Sequence, residues 1–440
     1  MKVSGWGRYP ILEAKVFTPR SEIELAERIQ AGGLIARGNG RSYGDSAISR
    51  QNTVHMRYFN RLIAFDATSG QVEAEAGVLL ADIISSFLPM GWFPAVTPGT
   101  KYASLGGMIA ADVHGKNHHV DGSFSNFVDW IDLMDASGIV RRCSAQVNPE
   151  LFQWTVGGMG LTGIILRVAF RLRAVETAWI RQTTLAAANI DEAINLLERS
   201  TEATYSVAWI DCLSRGDALG RSIVMSGEHA KRQDVTSSLR ANGLEIGRKW
   251  QVSVPVMFPA GLLNAMTVRA FNAVYYRNRR RQTGCKLVEL DSFFYPLDAI
   301  FEWNRIYGRK GFVQYQCVLP LEHSKAGLRE MLEAISRSGI GSFLAVLKRL
   351  GKQSGRFSFP MPGYTLALDF PASARALGLM NALDRIALAY GGRFYLANDS
   401  RMSAETLRLS DKRSEEFAAM RAAANLRQVF SSVQSERLEL

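Results

Sequence analysis

Three histidines and a lysine fall close together in Asp112-Val-His-Gly-Lys-Asn-His-His119. Such a cluster can hold an ion or move protons. Zinc is a poor match: the spacing fits no standard ligand pattern, no cysteine or carboxylate pair accompanies it, and Lys116 repels a cation. No metal site is expected. His114 and Lys116 better suit an anionic ligand, which gains from a nearby positive charge. His114 also fits a packed polar residue of the loop. His118 and His119 read as structural histidines at a loop surface.

Four glycine-rich loops, the histidine loop among them, share the N-terminal part of the chain. Gly38-Asn-Gly-Arg-Ser-Tyr-Gly-Asp45 follows a strand-like run, as a phosphate-cradling loop should. Its glycines let backbone N–H groups approach an anion. It is neither a Rossmann fingerprint, because Tyr43 stands where the third glycine belongs, nor a P-loop. Thr97-Pro-Gly-Thr-Lys101 leads into Ser104-Leu-Gly-Gly107, the histidine loop runs on to Gly122, and Val156-Gly-Gly-Met-Gly-Leu-Thr-Gly163 ends at a strand. Repeated backbone-lined turns imply one elongated ligand. A dinucleotide with a tricyclic ring fits, whereas a nicotinamide cofactor needs only one such loop.

The elements that must position these loops change character along the chain. Ser21 caps an expected helix over 21–30, with Glu24 completing a capping box. Strands are expected at 34–37, 72–78 and 164–172, and a helix at 79–88. After about residue 178 the pattern becomes that of an α+β unit, with helices at 190–199 and 325–338 alternating with strands such as 312–319 and 364–370. The tail from 404 to 440 reads as largely helical. Gln314 and Gln316 share one strand face, so both point into a pocket or both face solvent.

At 440 residues the chain suits two domains. Its net charge of +11 favours anionic partners. Nucleic acid is not among them: the basic residues are dispersed, and no aromatic-interleaved basic motif occurs. Scattered Cys143, Cys212, Cys285 and Cys317 read as reduced thiols, and the start has no secretory signal, so a cytoplasmic location is expected. No transmembrane run is present. Val252–Tyr276 is apolar but broken by Pro255, Pro259 and Arg269, and Arg277, Arg279, Arg280, Arg281 and Lys286 follow. It reads either as a core segment with a solvated loop or as a peripheral contact (252–286) on the inner face of the plasma membrane.

The glycine loops, the histidine loop and Thr155-Val-Gly-Gly-Met-Gly160 resemble the vanillyl-alcohol-oxidase, or PCMH-type, FAD-binding superfamily. Within it the chain is similar to the decaprenylphosphoryl-β-D-ribose 2-oxidase family. The likeness extends through Ser206-Val-Ala-Trp209, Glu302-Trp-Asn-Arg305, Gln314-Tyr-Gln316, Ser358-Phe-Pro360, Asp369-Phe-Pro371 and Asp399-Ser-Arg401. It implies an α+β, two-domain PCMH-type fold. Residues 1–177 would bind FAD, 178–392 would form an inserted substrate cap, and 393–440 would complete the FAD domain. Gly38, Asn39, Gly40, Arg41, Ser42 and Tyr43 would contact the cofactor. Pro98, Gly99, Thr100, Gly107, His114, Gly115, Asn117 and His118 would line the flavin. Gly160 and Ile164 would sit near the nucleotide end, and Tyr395 would close over the ring. Arg41 stands where many superfamily members carry a flavinylated histidine, so FAD is expected to be non-covalent. The family's active-site cysteine falls at Ala367, and its flavin-side lysine falls at Asn398.

The expected chemistry is oxidation of a sugar's secondary hydroxyl by hydride transfer, with a base taking the hydroxyl proton. Lys116 is the first candidate for that base, after a desolvation-lowered pKa. His114, Tyr43, Gln316 and Lys348 are the other candidates near the reacting carbon. The leading substrate is a polyprenylphosphoryl pentose oxidised at its 2-position, with a keto-sugar reductase as partner. The rival readings are a soluble alditol or aldonolactone oxidase using oxygen, and a flavin-binding paralogue with reduced turnover.

Overall fold

The computed structural model describes residues 1–235, 243–244, 252–258, 263–342, 344–353 and 355–440. Ser21 caps the helix Glu22–Gln30, its Oγ accepting from the Glu24 amide at 3.2 Å. The capping box is only half made, because the Glu24 carboxylate accepts from the Arg20 amide instead of the Ser21 amide. Leu25 and Ile29 bury the helix's apolar stripe beside Leu34. Leu34–Arg37 belongs to a three-stranded parallel sheet with Asn52–His55 in the centre and Val16–Phe17 beyond. Its last residue hands the chain to Gly38 at a carboxyl end of parallel strands, where open sheets of this kind bind ligands.

A second, antiparallel sheet is built around Ile164–Ala174, which pairs with Val128–Met134, Gln71–Glu75 and Trp92–Pro94. The strand expected over 72–78 stops at Glu75, where the backbone turns to bond Phe59 and Leu166. The helix Leu80–Phe87 follows, as its spacing requires.

The third sheet has eight antiparallel strands. From one edge they are Gly284–Glu289, Trp179–Ala187, Ser222–His229, Tyr205–Ile210, Ala345–Leu350, Gly363–Pro371, Phe312–Pro320 and Arg393–Phe394. Side chains alternate between its faces. Val313, Tyr315, Cys317, Leu347, Leu366 and Leu368 join the apolar core with helices Ile190–Arg199, Leu321–Ser338 and Ala374–Ala389. Gln314, Gln316, Lys348, Thr365, Ala367 and Asp369, one step out of phase with those residues, occupy the opposite face. On that face, toward the other edge, Trp209 and Ile223 pack against Tyr276 of the helix Ala265–Arg280.

This last helix revises the reading of the 252–286 stretch. Arg277, Arg279 and Arg280 form its final turn, not a solvated loop, and there they complement the negative end of the helix dipole. Pro259 lies outside the described residues. Among the described residues no helix is long and apolar enough to cross a membrane.

Four short helices fill 404–438. The tail returns to the first sheet, where the Ser431 amide donates to the Leu34 carbonyl at 2.9 Å. Arg437 reaches both Asp45, at 2.7 Å, and Asp399, at 2.9 Å. One guanidinium thus ties the end of the first glycine loop to the segment that carries Tyr395 and Asn398. All four cysteines are free thiols, and only Cys285 is exposed.

Candidate active site

The polar face of the eight-stranded sheet meets the histidine loop. His114 is buried, with its ring centroid 5.1 Å from that of Tyr395 and 5.5 Å from that of Phe359. Gln316 Nε2 lies 3.0 Å from His114 Nε2 and 3.0 Å from Thr365 Oγ1, while Asn398 Nδ2 donates to Gln316 Oε1. Ala367 is the ladder partner of Gln316, so both departures from the family pattern surround one glutamine. Burial, reinforced by Lys348, holds the proton affinity of His114 well below that of free imidazole, so its ring is neutral.

Lys116 is half-buried. Its ammonium donates to the Phe293 carbonyl and lies 4.3 Å from the centre of the Phe293 ring. Burial brings its pKa down to about 7, and the charge of Lys348 pushes the same way. Burial holds Lys348 at about 8. Neither lysine makes an ion pair among the described residues. Two amines thus share a region of low dielectric that would stabilise negative charge.

Tyr43, at the end of the first loop, meets Phe312 edge-on at 5.5 Å. Burial and the nearby Asp369 charge raise its pKa well above the ordinary phenol value, although its hydrogen bond with Gln314 opposes them. Tyr43 is therefore a protonated donor. Gln314 also donates to Asp369 at 2.6 Å.

The loop itself suits a flavin nucleotide. A side chain at Gly38 would run into Ser104 Oγ, and one at Gly40, where φ is +64°, would run into the Arg37 guanidinium. The positive φ favours glycine at position 40, where the backbone stays bare. Arg41 lies over Trp6 at 4.1 Å and Tyr102 at 5.0 Å, with its Nε buried and without a partner among the described residues. His114 Nδ1 and Asn117 Oδ1 are orphaned in the same way. Each such buried group costs about 1–3 kcal/mol unless a ligand satisfies it. A dinucleotide carries both the acceptors and the donors that this set lacks.

The remaining expected residues divide into two groups. Asn39 donates to the Tyr102 carbonyl at 2.9 Å, and Ser42 accepts from the Trp6 amide at 2.8 Å, so both shape the loop. Thr100 bonds the Asp298 carboxylate, while the Lys101 amide donates to it at 2.8 Å, joining the Pro98–Thr100 turn to the segment beside Phe293. Gly99 is exposed with open space about it. Gly107 lies in the short helix Leu105–Ala110. Gly115 has no room for a side chain beside the Thr97 backbone, and Gly160 has φ of +78°. Tyr395 donates to the Ala111 carbonyl at 3.0 Å.

One reading needs correction. His118 is not a surface histidine: it is 1% exposed, and its Nδ1 accepts from the Gly351 amide at 3.0 Å. Ile164 has its side chain wholly buried with Leu25 and Phe430, leaving only its backbone for a nucleotide. Sequence reasoning also passed over Thr365 and Asp369. The available signal was alternation: with Ala367 between them, they mark one face of a strand.

Comparisons with known proteins identify the family and the cofactor domain. The family model of an FAD binding domain matches residues 14–144. The chain is 37% identical over 450 residues to decaprenylphosphoryl-β-D-ribose oxidase of Mycolicibacterium smegmatis, covering 100% of this chain and 97% of that protein. It is 31% identical over 370 residues to an uncharacterized Streptomyces coelicolor protein, covering 82% of this chain and 99% of that one. L-gulonolactone oxidase of Bos taurus is 30% identical over 192 residues, 42% of each chain.

Proposed function

From the premise that this chain belongs to the decaprenylphosphoryl-β-D-ribose oxidase family of FAD-dependent oxidoreductases, we propose that it oxidises the 2-hydroxyl of a polyprenylphosphoryl pentose to a keto sugar. Residues 1–177 and 393–440 hold FAD, and 178–392 cap it over the substrate. The cofactor is held without a covalent link, since the guanidinium of Arg41 is no nucleophile.

Oxidation of a secondary alcohol takes a hydride from C–H and a proton from O–H, leaving C=O. FAD, when bound, supplies the acceptor for the hydride. The protein's share is position and a place for the proton. Lys116 takes the hydroxyl proton on Nζ, since a pKa of about 7 leaves much of the amine neutral at physiological pH. Tyr43 and His114 orient the sugar and the ring by hydrogen bonds, and Lys348 attracts the anionic phosphate. The observation that carries this reading is that Lys116 and Lys348, neither with an ion-pair partner among the described residues, share the candidate site with the buried His114–Gln316 pair.

The keto product calls for a reductase to complete epimerisation. The exposed apolar and arginine-rich surface of the helix Ala265–Arg280 supports a peripheral contact with anionic lipid on the inner face of the plasma membrane, near a lipid-linked substrate. The likeness to L-gulonolactone oxidase supports a second reading, an aldonolactone or alditol oxidase.

The deciding experiment is anaerobic mixing of the purified protein with polyprenylphosphoryl ribose, followed near 450 nm, roughly where oxidised flavin absorbs. Rapid bleaching by the lipid-linked sugar, with none by free alditols or lactones, is expected. Bleaching by free sugars with fast peroxide release in air would transfer the assignment to the second reading. Acid should release yellow flavin from the precipitated protein, and flavin retained in the pellet would refute non-covalent binding.

A further inference from the structure

We propose that Thr365 and Asn398 are positioning residues that lock His114 in its Nδ1–H tautomer, making it a fixed hydrogen-bond donor to the reaction and not its base. This rests on the reading of His114 as part of the active site. The direction of the network is set by a group that can only accept. The Cys317 carbonyl receives the Thr365 hydroxyl hydrogen at 2.8 Å. Thr365 Oγ1 must therefore accept from its other neighbour, Gln316, at 3.0 Å.

That requirement orients the Gln316 amide. Its NH₂ faces Thr365 with one hydrogen and His114 Nε2 with the other, at 3.0 Å. Its oxygen faces Asn398, which supplies an N–H from Nδ2. His114 Nε2 can only accept in this arrangement. A neutral imidazole carries a single N–H, so that hydrogen lies on Nδ1. Nδ1 is buried and has no partner among the described residues. The ring therefore offers a donor to whatever enters the site, while its one lone pair for a proton is engaged by Gln316. Proton acceptance falls to Lys116.

The test uses the full-length protein labelled with ¹⁵N-histidine, its flavin content measured on the same sample. Two- and three-bond ¹H–¹⁵N correlations distinguish the tautomers, and His114→Asn assigns the signal among the six histidines. The wild type should show His114 with Nδ1 protonated and Nε2 bare. In Asn398→Asp, at a pH where the new carboxylate is ionised, that group can only accept. Gln316 should then turn its amide over, with the Thr365 hydroxyl rotating away from the Cys317 carbonyl to donate to the Gln316 oxygen, and that oxygen, now also facing His114, should reverse the tautomer. Thr365→Ser, which keeps the hydroxyl, should retain the wild-type tautomer. An Nε2–H signal in the wild type overturns the proposal whatever the variants do, and so does Nδ1–H persisting in ionised Asn398→Asp. A sample that binds no FAD would count against the flavin reading alone, since the tautomer is read from the chain's own resonances.

Discussion

Lys348, on the polar face of the eight-stranded sheet, lowers the proton affinity of Lys116 on the histidine loop. The two amines come from different elements, the strand Ala345–Leu350 and the histidine loop, and the charge of Lys348 disfavours the protonated form of Lys116. Removing a like charge raises the pKa of the partner that remains. Lys348→Met should therefore move the rising limb of the kcat/KM pH profile to higher pH than the wild type's limb near 7. The profile is measured with the lipid-linked sugar across pH 5 to 10, a range chosen around ordinary amine and imidazole values (roughly 6.5 to 10.4). A limb that stays in place or moves down would show that the titrating group is not Lys116.

Lys116 itself is the proposed proton acceptor. General-base contributions run at roughly 10²–10⁴-fold. Lys116→Ala should lose about that much in the rate of flavin bleaching while retaining bound FAD, because the orphaned Arg41 and the bare glycine backbone remain. A loss below about tenfold, or full loss of FAD, would move the role elsewhere.

Much of this site could be read in the sequence because its parts lie on local patterns. Glycines after a strand mark the first loop, and the histidine loop is a short contiguous string. Gln314 and Gln316 announce their shared face by period-two spacing, though not which face. The pairing Gln316–His114 spans 202 residues and depends on the register between Phe312–Pro320 and Gly363–Pro371, which no local rule supplies. His118 was misread for the same reason: its cover, the Gly351 backbone, comes from 233 residues away. The arginines after Tyr276 were legible as charge, but their place in a helix's last turn required the Asn264 cap, which accepts from Met266 and Thr267. Ile164 was located correctly in a strand, yet whether its side chain faces ligand or core is fixed by the packing of Leu25 and Phe430.

Asp369 should leave a pH signature in stability. Burial raises its carboxyl to about 7, against the hydrogen bond from Gln314. The folded state thus favours the protonated form. That favourable contribution is fully present below the carboxylate's unfolded value, about 3.9, and is lost as pH rises through about 7. Asp369→Asn stays neutral throughout and still offers Gln314 an acceptor. Its melting temperature should climb relative to the wild type's between about pH 4 and about pH 7 and hold a constant lead above that. A gap independent of pH would mean that the Asp369 carboxyl has the same proton affinity in the folded and unfolded chain.

The membrane contact makes a separable prediction. On the helix Ala265–Arg280, Met266 is 77% and Val274 59% exposed, while Val268, Asn272 and Tyr276 hold the opposite side to the sheet. Arg269, Arg277 and Arg280 are exposed along the same helix. Apolar insertion and basic attraction add at an anionic surface, the latter worth about 1 kcal/mol per residue. Met266→Asp with Val274→Asp should lower sedimentation with phosphatidylserine vesicles and leave bleaching by a short-chain, soluble sugar phosphate unchanged, since both side chains are exposed on the side of the helix away from Val268, Asn272 and Tyr276. Replacing Arg277 and Arg280 by Gln should weaken vesicle binding by roughly tenfold or more, about 1 kcal/mol for each charge, and raised salt should mimic that loss. Vesicle binding that survives all four substitutions would place the membrane-facing surface elsewhere on the molecule. Loss of soluble turnover alongside vesicle binding would instead tie the helix to the integrity of the cap.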